Sequence, residues 1–218
     1  MTTSRSFDDA ANAFIDTVSR IPDGRWDDAG LGVWTVRELV GHTSRAITTI
    51  DAYLTADNST ANVAVRTVPA RPNSVTAEDY YARVFGGSDD LGPLADHAAI
   101  AQRGVEASEQ LGDDPVATLR AQLERTVANL RDQGADRIVT IGSIRIPLEE
   151  YLDTRIFELV VHTLDIAKAV GITADIPPSL VANTVALAAR IASERGFGVE
   201  VLLALTGREP LREGFTIL

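Results

Sequence analysis

The stretch Pro147 to Gly171, PLEEYLDTRIFELVVHTLDIAKAVG, constrains this chain more than any other. Proline suits the first turn of a helix, where its missing N–H would have no partner anyway. Glycine is a ready helix stop. Between them Leu148, Leu152, Ile156, Leu159, Thr163, Ile166 and Val170 recur at the spacing of one buried helix face. A second row, Tyr151, Arg155, Glu158, His162 and Asp165, borders that stripe and does not oppose it. Charged groups at such an edge need partners or a bound cation. Glu158 and His162 stand four apart and leave the same face one turn from each other. Carboxylate and neutral imidazole both bind divalent metals, so the pair is a workable half-site. The same spacing is also common on solvated helices, so a metal role needs a third ligand from elsewhere.

The rest of the chain reads as further helices. Ser6 is placed as the N-cap of a first helix running to Ile21, with Ala11, Phe14, Ile15 and Val18 inward. Trp26 and Trp34 follow in a loop and read as core anchors. Thr35 and Glu38 form a capping box that opens a helix from Val36 to about Thr55. His42 lies at the edge of its apolar stripe, the position of a half-buried histidine bonded to a carbonyl or a neighbour. Residues 56–75 read as a long loop. Thr76 caps a short helix with Asp79 three residues on. A weaker helix is expected from Leu91 to Leu111, with His97 on its surface. Asp114-Pro115 starts a clear helix. Arg137 to Pro147 alternates and turns at Gly142-Ser143, as a two-residue hairpin does. Pro177-Pro178 opens a helix to about Arg195, and Val199 to Thr206 is a short apolar one.

This inventory predicts a mainly all-α chain: a four-helix bundle with a small β-hairpin and a short helical C-terminal extension. The expected division is a bundle over residues 1–172 and an extension over 173–218 packed on it. The formal net charge is −11, which argues against nucleic acid as a partner. There is no cysteine, so a disulfide, a thiolate metal site and a cysteine nucleophile are excluded. Any thiol chemistry needs a thiol from outside. No apolar run approaches the roughly 20 residues that span a bilayer. The first residues lack the pattern of a signal peptide, so a cytoplasmic location is expected.

Three segments together resemble a known family. They are Trp34-Thr-Val-Arg-Glu-Leu-Val-Gly-His42, Glu158-Leu-Val-Val-His162-Thr-Leu-Asp165, and Leu-Leu-Ala-Leu-Thr-Gly-Arg208. In that order and at that separation they are similar to the mycothiol-dependent maleylpyruvate isomerases. These belong to the DinB-like group of metal-binding four-helix bundles. The resemblance implies a divalent metal, often zinc, held by His42, Glu158 and His162. Asp165 is then a residue that orients a ligand histidine, or a metal contact itself; otherwise it pairs with Arg155 or caps a loop. Arg45 and Arg155 are candidates to hold a carboxylate, or ordinary ion-pair partners.

The resemblance further implies an enzyme that uses mycothiol on a small electrophilic substrate. As an isomerase it would add the thiolate to an activated cis double bond, allow rotation, and expel it to leave the trans product. As an S-transferase it would keep the thiol attached. The alternatives are a non-catalytic bundle that binds a metal or small ligand, and a metal-dependent hydrolase using bound water. The expected partners are a small-molecule substrate and a low-molecular-weight thiol, with neither nucleic acid nor membrane, and a homodimer as a possible assembly.

Overall fold

The structure, a computed structural model, describes residues 3–60, 75–85, 96–134 and 136–218. Its elements in order are α1 (Thr3–Val18), a 3₁₀ turn (Asp23–Arg25), α2 (Val36–Thr60), α3 (Ala77–Phe85), α4 (His97–Gln110), α5 (Pro115–Arg131), β1 (Ile138–Ile141), β2 (Ile144–Pro147), α6 (Leu148–Val170), α7 (Pro178–Glu194) and α8 (Gly198–Leu205). α1, α2, α5 and α6 close a four-helix bundle: α1 packs on α5 and α6, and α2 packs on the same two. α4 lies against α2 from outside, α3 against α6 and α7, and α8 against α7.

Local chemistry explains most of these boundaries. The Thr35 N–H donates to Glu38 Oε2 at 2.8 Å, and the Glu38 N–H donates to Thr35 Oγ1 at 3.2 Å, so the capping box is formed. Thr76 and Asp79 repeat that exchange at the start of α3. Asp114 caps α5 through the Ala117 N–H, with Pro115 in the first turn. Gly171 ends α6 at φ 74°, in the left-handed region where a Cβ is costly.

Several boundaries differ from the sequence reading. α1 starts at Thr3, so Ser6 is a buried helical residue and not the cap, and the helix ends at Val18 before Ile21. Pro147 pairs with Ile138 at the end of β2 and caps α6; it is not the first helical residue. The fixed φ of proline, here −55°, suits strand end and helix entry equally. α2 continues to Thr60, so 56–60 is helix and not loop. The rest of the long loop, residues 61–74, and the first part of the weak helix, 91–95, lie outside the described residues. The described part of that helix begins at His97 behind an Asp96 cap.

The hairpin turns at Gly142, φ 59°, with Val139 opposite Ile146 and Ile141 opposite Ile144. These four side chains are buried and belong to the core that Phe7, Phe14, Leu39, Ile47, Leu119 and Leu159 build along the bundle. The hairpin therefore seals the core, and its described residues supply none of the cleft described below. Three threonines inside the bundle are satisfied locally. Thr17, Thr43 and Thr163 each donate to the carbonyl four residues earlier, which removes the cost of burying a hydroxyl.

Candidate metal centre

α2 and α6 face each other across a cleft of about 440 Å³, which α3, α4 and the last residues of the chain also border. The row Tyr151, Arg155, Glu158, His162 and Asp165 of α6 lines it. Opposite stand His42, Arg45, Thr49 and Tyr53, a second row spaced by three or four residues on α2.

His42 is positioned by an unusually close helix contact. A Cβ on the preceding Gly41 would lie 2.4 Å from the Ser108 nitrogen and 2.7 Å from the Gly104 carbonyl oxygen, so α2 and α4 meet backbone to backbone. Gly104 in turn leaves room for Trp34, whose indole N–H donates to the Ala101 carbonyl at 3.1 Å. The indole then stacks on the His42 ring, with centroids 4.3 Å apart. The other side of His42 meets the edge of His162, 5.0 Å away. Trp34 is thus more than a core anchor: it fixes the imidazole plane. Tryptophan eight residues before histidine, across a capped helix start, is the sequence signal for this contact.

His42 Nδ1 is buried and has no hydrogen-bond partner. Burial, aided by the neighbouring His162, lowers its pKa to about 3. It is therefore a neutral imidazole with a lone pair to offer. His162 is its opposite. Its Nδ1 lies 3.0 Å from Asp165 Oδ2 and its Nε2 lies 3.2 Å from Glu158 Oε2. Burial opposes its charge, but the hydrogen bonds to Asp165 and Glu158 outweigh this and raise its pKa to about 9. Burial also pushes Glu158 up; the hydrogen bond and charge of His162, with Arg155 and the Tyr81 hydroxyl, bring it down to about 2. The Tyr81 hydroxyl lies 2.7 Å from Glu158 Oε1 and 3.0 Å from the Thr154 carbonyl, and donates its one proton between them.

One ligand atom each from His42, Glu158 and His162 falls within 4.8 Å of the others, so the three side chains form a group able to hold a metal ion. The fit is chemical as well as spatial. Two imidazoles and a carboxylate are ligands for zinc and similar divalent cations, and three protein ligands leave a position open. Neutral His42 has a lone pair to offer a cation, which would also replace the proton now shared between His162 Nε2 and Glu158. Asp165 lies outside this group. It faces the far nitrogen of His162, where it fixes the ring and leaves Nε2 toward the cluster. It pairs neither with Arg155 nor with a loop: the Arg155 Nε–H donates to Thr154 Oγ1 at 3.1 Å.

Arg155 spreads over the Tyr151 ring at 5.0 Å, and the Tyr151 hydroxyl is 2.8 Å from Thr49 Oγ1. Arg45 and Arg103 line the same cleft, and Arg45 and Arg155 form no ion pair with any described residue. Burial beside Arg103 lowers the Arg45 pKa. His97 is exposed and borders the cleft from α4, away from the ligand cluster. Sequence reasoning missed Tyr80, Tyr81 and Arg103. α3 is too short to show a period, and Arg103 looks like any surface arginine on an alanine-rich helix.

A helical bundle with a His/Glu/His cluster between two facing helices defines a class of metal-binding proteins. Residues 7–167 match the family model of the mycothiol maleylpyruvate isomerase N-terminal domain, and the chain belongs to that family. The bundle agrees with the wider DinB-like group. The match ends inside α6, so α7 and α8 lie beyond it. No curated protein and no solved structure matches the chain. No described helix is long and apolar enough to cross a membrane.

Proposed function

We propose that this protein is a metal-dependent enzyme that uses a low-molecular-weight thiol of the mycothiol type on a small electrophilic substrate, as an isomerase or S-transferase. The observation that carries the reading is the grouping of His42, Glu158 and His162 in a cleft, with His42 held neutral and able to offer a lone pair. A divalent cation, zinc by the donor set, would supply Lewis acidity there and favour the thiolate form of a thiol brought beside it.

The remaining roles fall to side chains around the cluster. Asp165 keeps His162 in one orientation, and Tyr81 does the same for Glu158. Trp34 shields His42 from water by stacking on it. Arg45 and Arg155 face the cleft as fixed positive charges, suited to orient an anionic group of a substrate. Cysteine is absent from the chain, which agrees with a thiol that arrives as a cosubstrate.

Elemental analysis of protein purified without chelator or nickel affinity tests the reading, on wild type and His162→Ala together. About one equivalent of metal in the wild type, lost in the variant, is expected for a single three-ligand site. The metal-loaded protein should then consume mycothiol, or turn it over catalytically, with electrophilic substrates. No bound metal after reconstitution with zinc would overturn the proposal.

A further inference from the structure

The cleft is chemically two-sided, and α6 shows how the sides are arranged. Arg155, Glu158 and Val161 follow one another at intervals of three residues, and all three line it. Glu158, a member of the metal cluster, therefore sits between a cationic residue and an apolar one. Beyond Arg155 the lining is polar: Tyr151, Thr49 and Tyr53 form a connected group, with the Tyr53 and Tyr151 rings 5.7 Å apart. Around Val161 the lining is apolar. Val161, Phe85, Ile217 and Leu218 pack on the cluster built from Tyr81, Phe157 and Leu187. Leu218 and Phe85 also border the cleft.

The final residues are held at this flank by specific contacts. The Arg195 guanidinium donates to the Ile217 carbonyl, and at 3.4 Å to the Phe85 carbonyl, so one side chain ties the tail to the end of α3. Arg212 lies over both the Phe197 and Phe215 rings, at 4.8 and 5.0 Å. The extension thus delivers an apolar side chain, Leu218, to the cleft, although its residues lie outside the family match.

We infer that the electrophile is a monocarboxylic acid with an apolar arm. Its carboxylate meets Arg155 and Arg45, its reacting carbon lies beside the His42, Glu158 and His162 cluster, and its arm lies against Val161, Phe85 and Leu218. The rise along α6 from Arg155 to Val161 is about 9 Å, so the arm must reach past the shortest acids. Val161, Phe85 and Leu218 are then the residues that set chain-length specificity. This inference rests on the proposed function for its reacting carbon, but its binding half stands without a metal.

The test is calorimetric titration of the full chain with straight-chain carboxylates from propanoate to octanoate. It is run on zinc-loaded and on chelator-stripped protein, with metal content measured alongside. Wild type should bind about three- to fourfold more tightly per added methylene, the worth of burying one CH₂, until the flank is filled. Leu218→Asp should flatten that slope, while Arg155→Met should weaken every length alike. Affinity that does not rise with length in wild type, or a slope unchanged in Leu218→Asp, overturns the inference. A slope in protein that takes up no zinc on reconstitution would sink the metalloenzyme reading and keep this one. A flat series in protein with a full metal site would do the reverse.

Discussion

The two walls of the cleft hold the same residue type in opposite electrical states. On α2, His42 is pressed between Trp34 and His162, has an unpartnered nitrogen, and is neutral down to a pKa of about 3. On α6, His162 is gripped by a carboxylate at each nitrogen and keeps its proton up to a pKa of about 9. The first wall is built by packing and the second by hydrogen bonds. Packing leaves a lone pair waiting for a ligand; hydrogen bonding occupies the same kind of nitrogen with a proton. A cation suits both at once, because it fills the first and displaces the second.

Removing a side chain from either wall should break that arrangement most severely. His42→Ala and His162→Ala should each fail to retain metal through dialysis, as measured by elemental analysis, while circular dichroism stays helical. The packed wall should also break from behind. Gly41→Ala puts a Cβ into the backbone of α4, and should destabilise the fold by about 3 kcal/mol in urea titrations, at the upper end of overpacking costs. Retention of wild-type stability would show that α2 and α4 separate more readily than their contact indicates.

The hydrogen-bonded wall should weaken by smaller steps. Asp165→Ala leaves the cluster ligands in place but frees the His162 ring, and should cost roughly 10- to 100-fold in metal affinity, read by chelator competition. Unchanged affinity would mean that the ring is held by packing alone. The pH dependence of stability sharpens the contrast further, with chelator present. His42 has a lowered pKa, so its contribution is complete above the ordinary histidine value of 6.5 and is lost as pH falls from 6.5 toward 3. His162 has a raised pKa, so its contribution is complete below 6.5 and is lost as pH rises through 9. Melting temperature should therefore peak near 6.5, and zinc should reverse the alkaline arm by competing with the His162 proton. A plateau across that range without metal would contradict the contrast between the walls.

Much of the centre was legible in the sequence because helices turn spacing into direction. Glu158, His162 and Asp165 share one face of α6 by arithmetic alone, and the Thr35–Glu38 box fixes where α2 starts and so where His42 points. The four bundle helices and the hairpin turn were readable for the same reason. The electrical difference between the two histidines was not. The carboxylates that hold the His162 proton lie on its own helix, but the burial that neutralises His42 depends on Trp34 and Gly104, which reach it only through tertiary packing. Ser6 misled because a serine followed by two aspartates imitates a cap, while the burial of its helix face lets α1 run on to Thr3. The tail escaped notice because a short apolar end shows no period that would say where it docks.

The contact of Gly41 with Gly104 and Ser108 also bears on how this site can change over generations. One wall of the cleft rests on backbone against backbone, with no side chain to trim and no gap to widen. The opposite flank is walled by Phe85, Val161 and Leu218, side chains that tolerate exchange for smaller or larger ones. A ligand of new shape must therefore be accommodated from that flank. Variation in α3 and the last residues should retune what the cleft accepts, while the α2 and α4 side stays as the rigid wall.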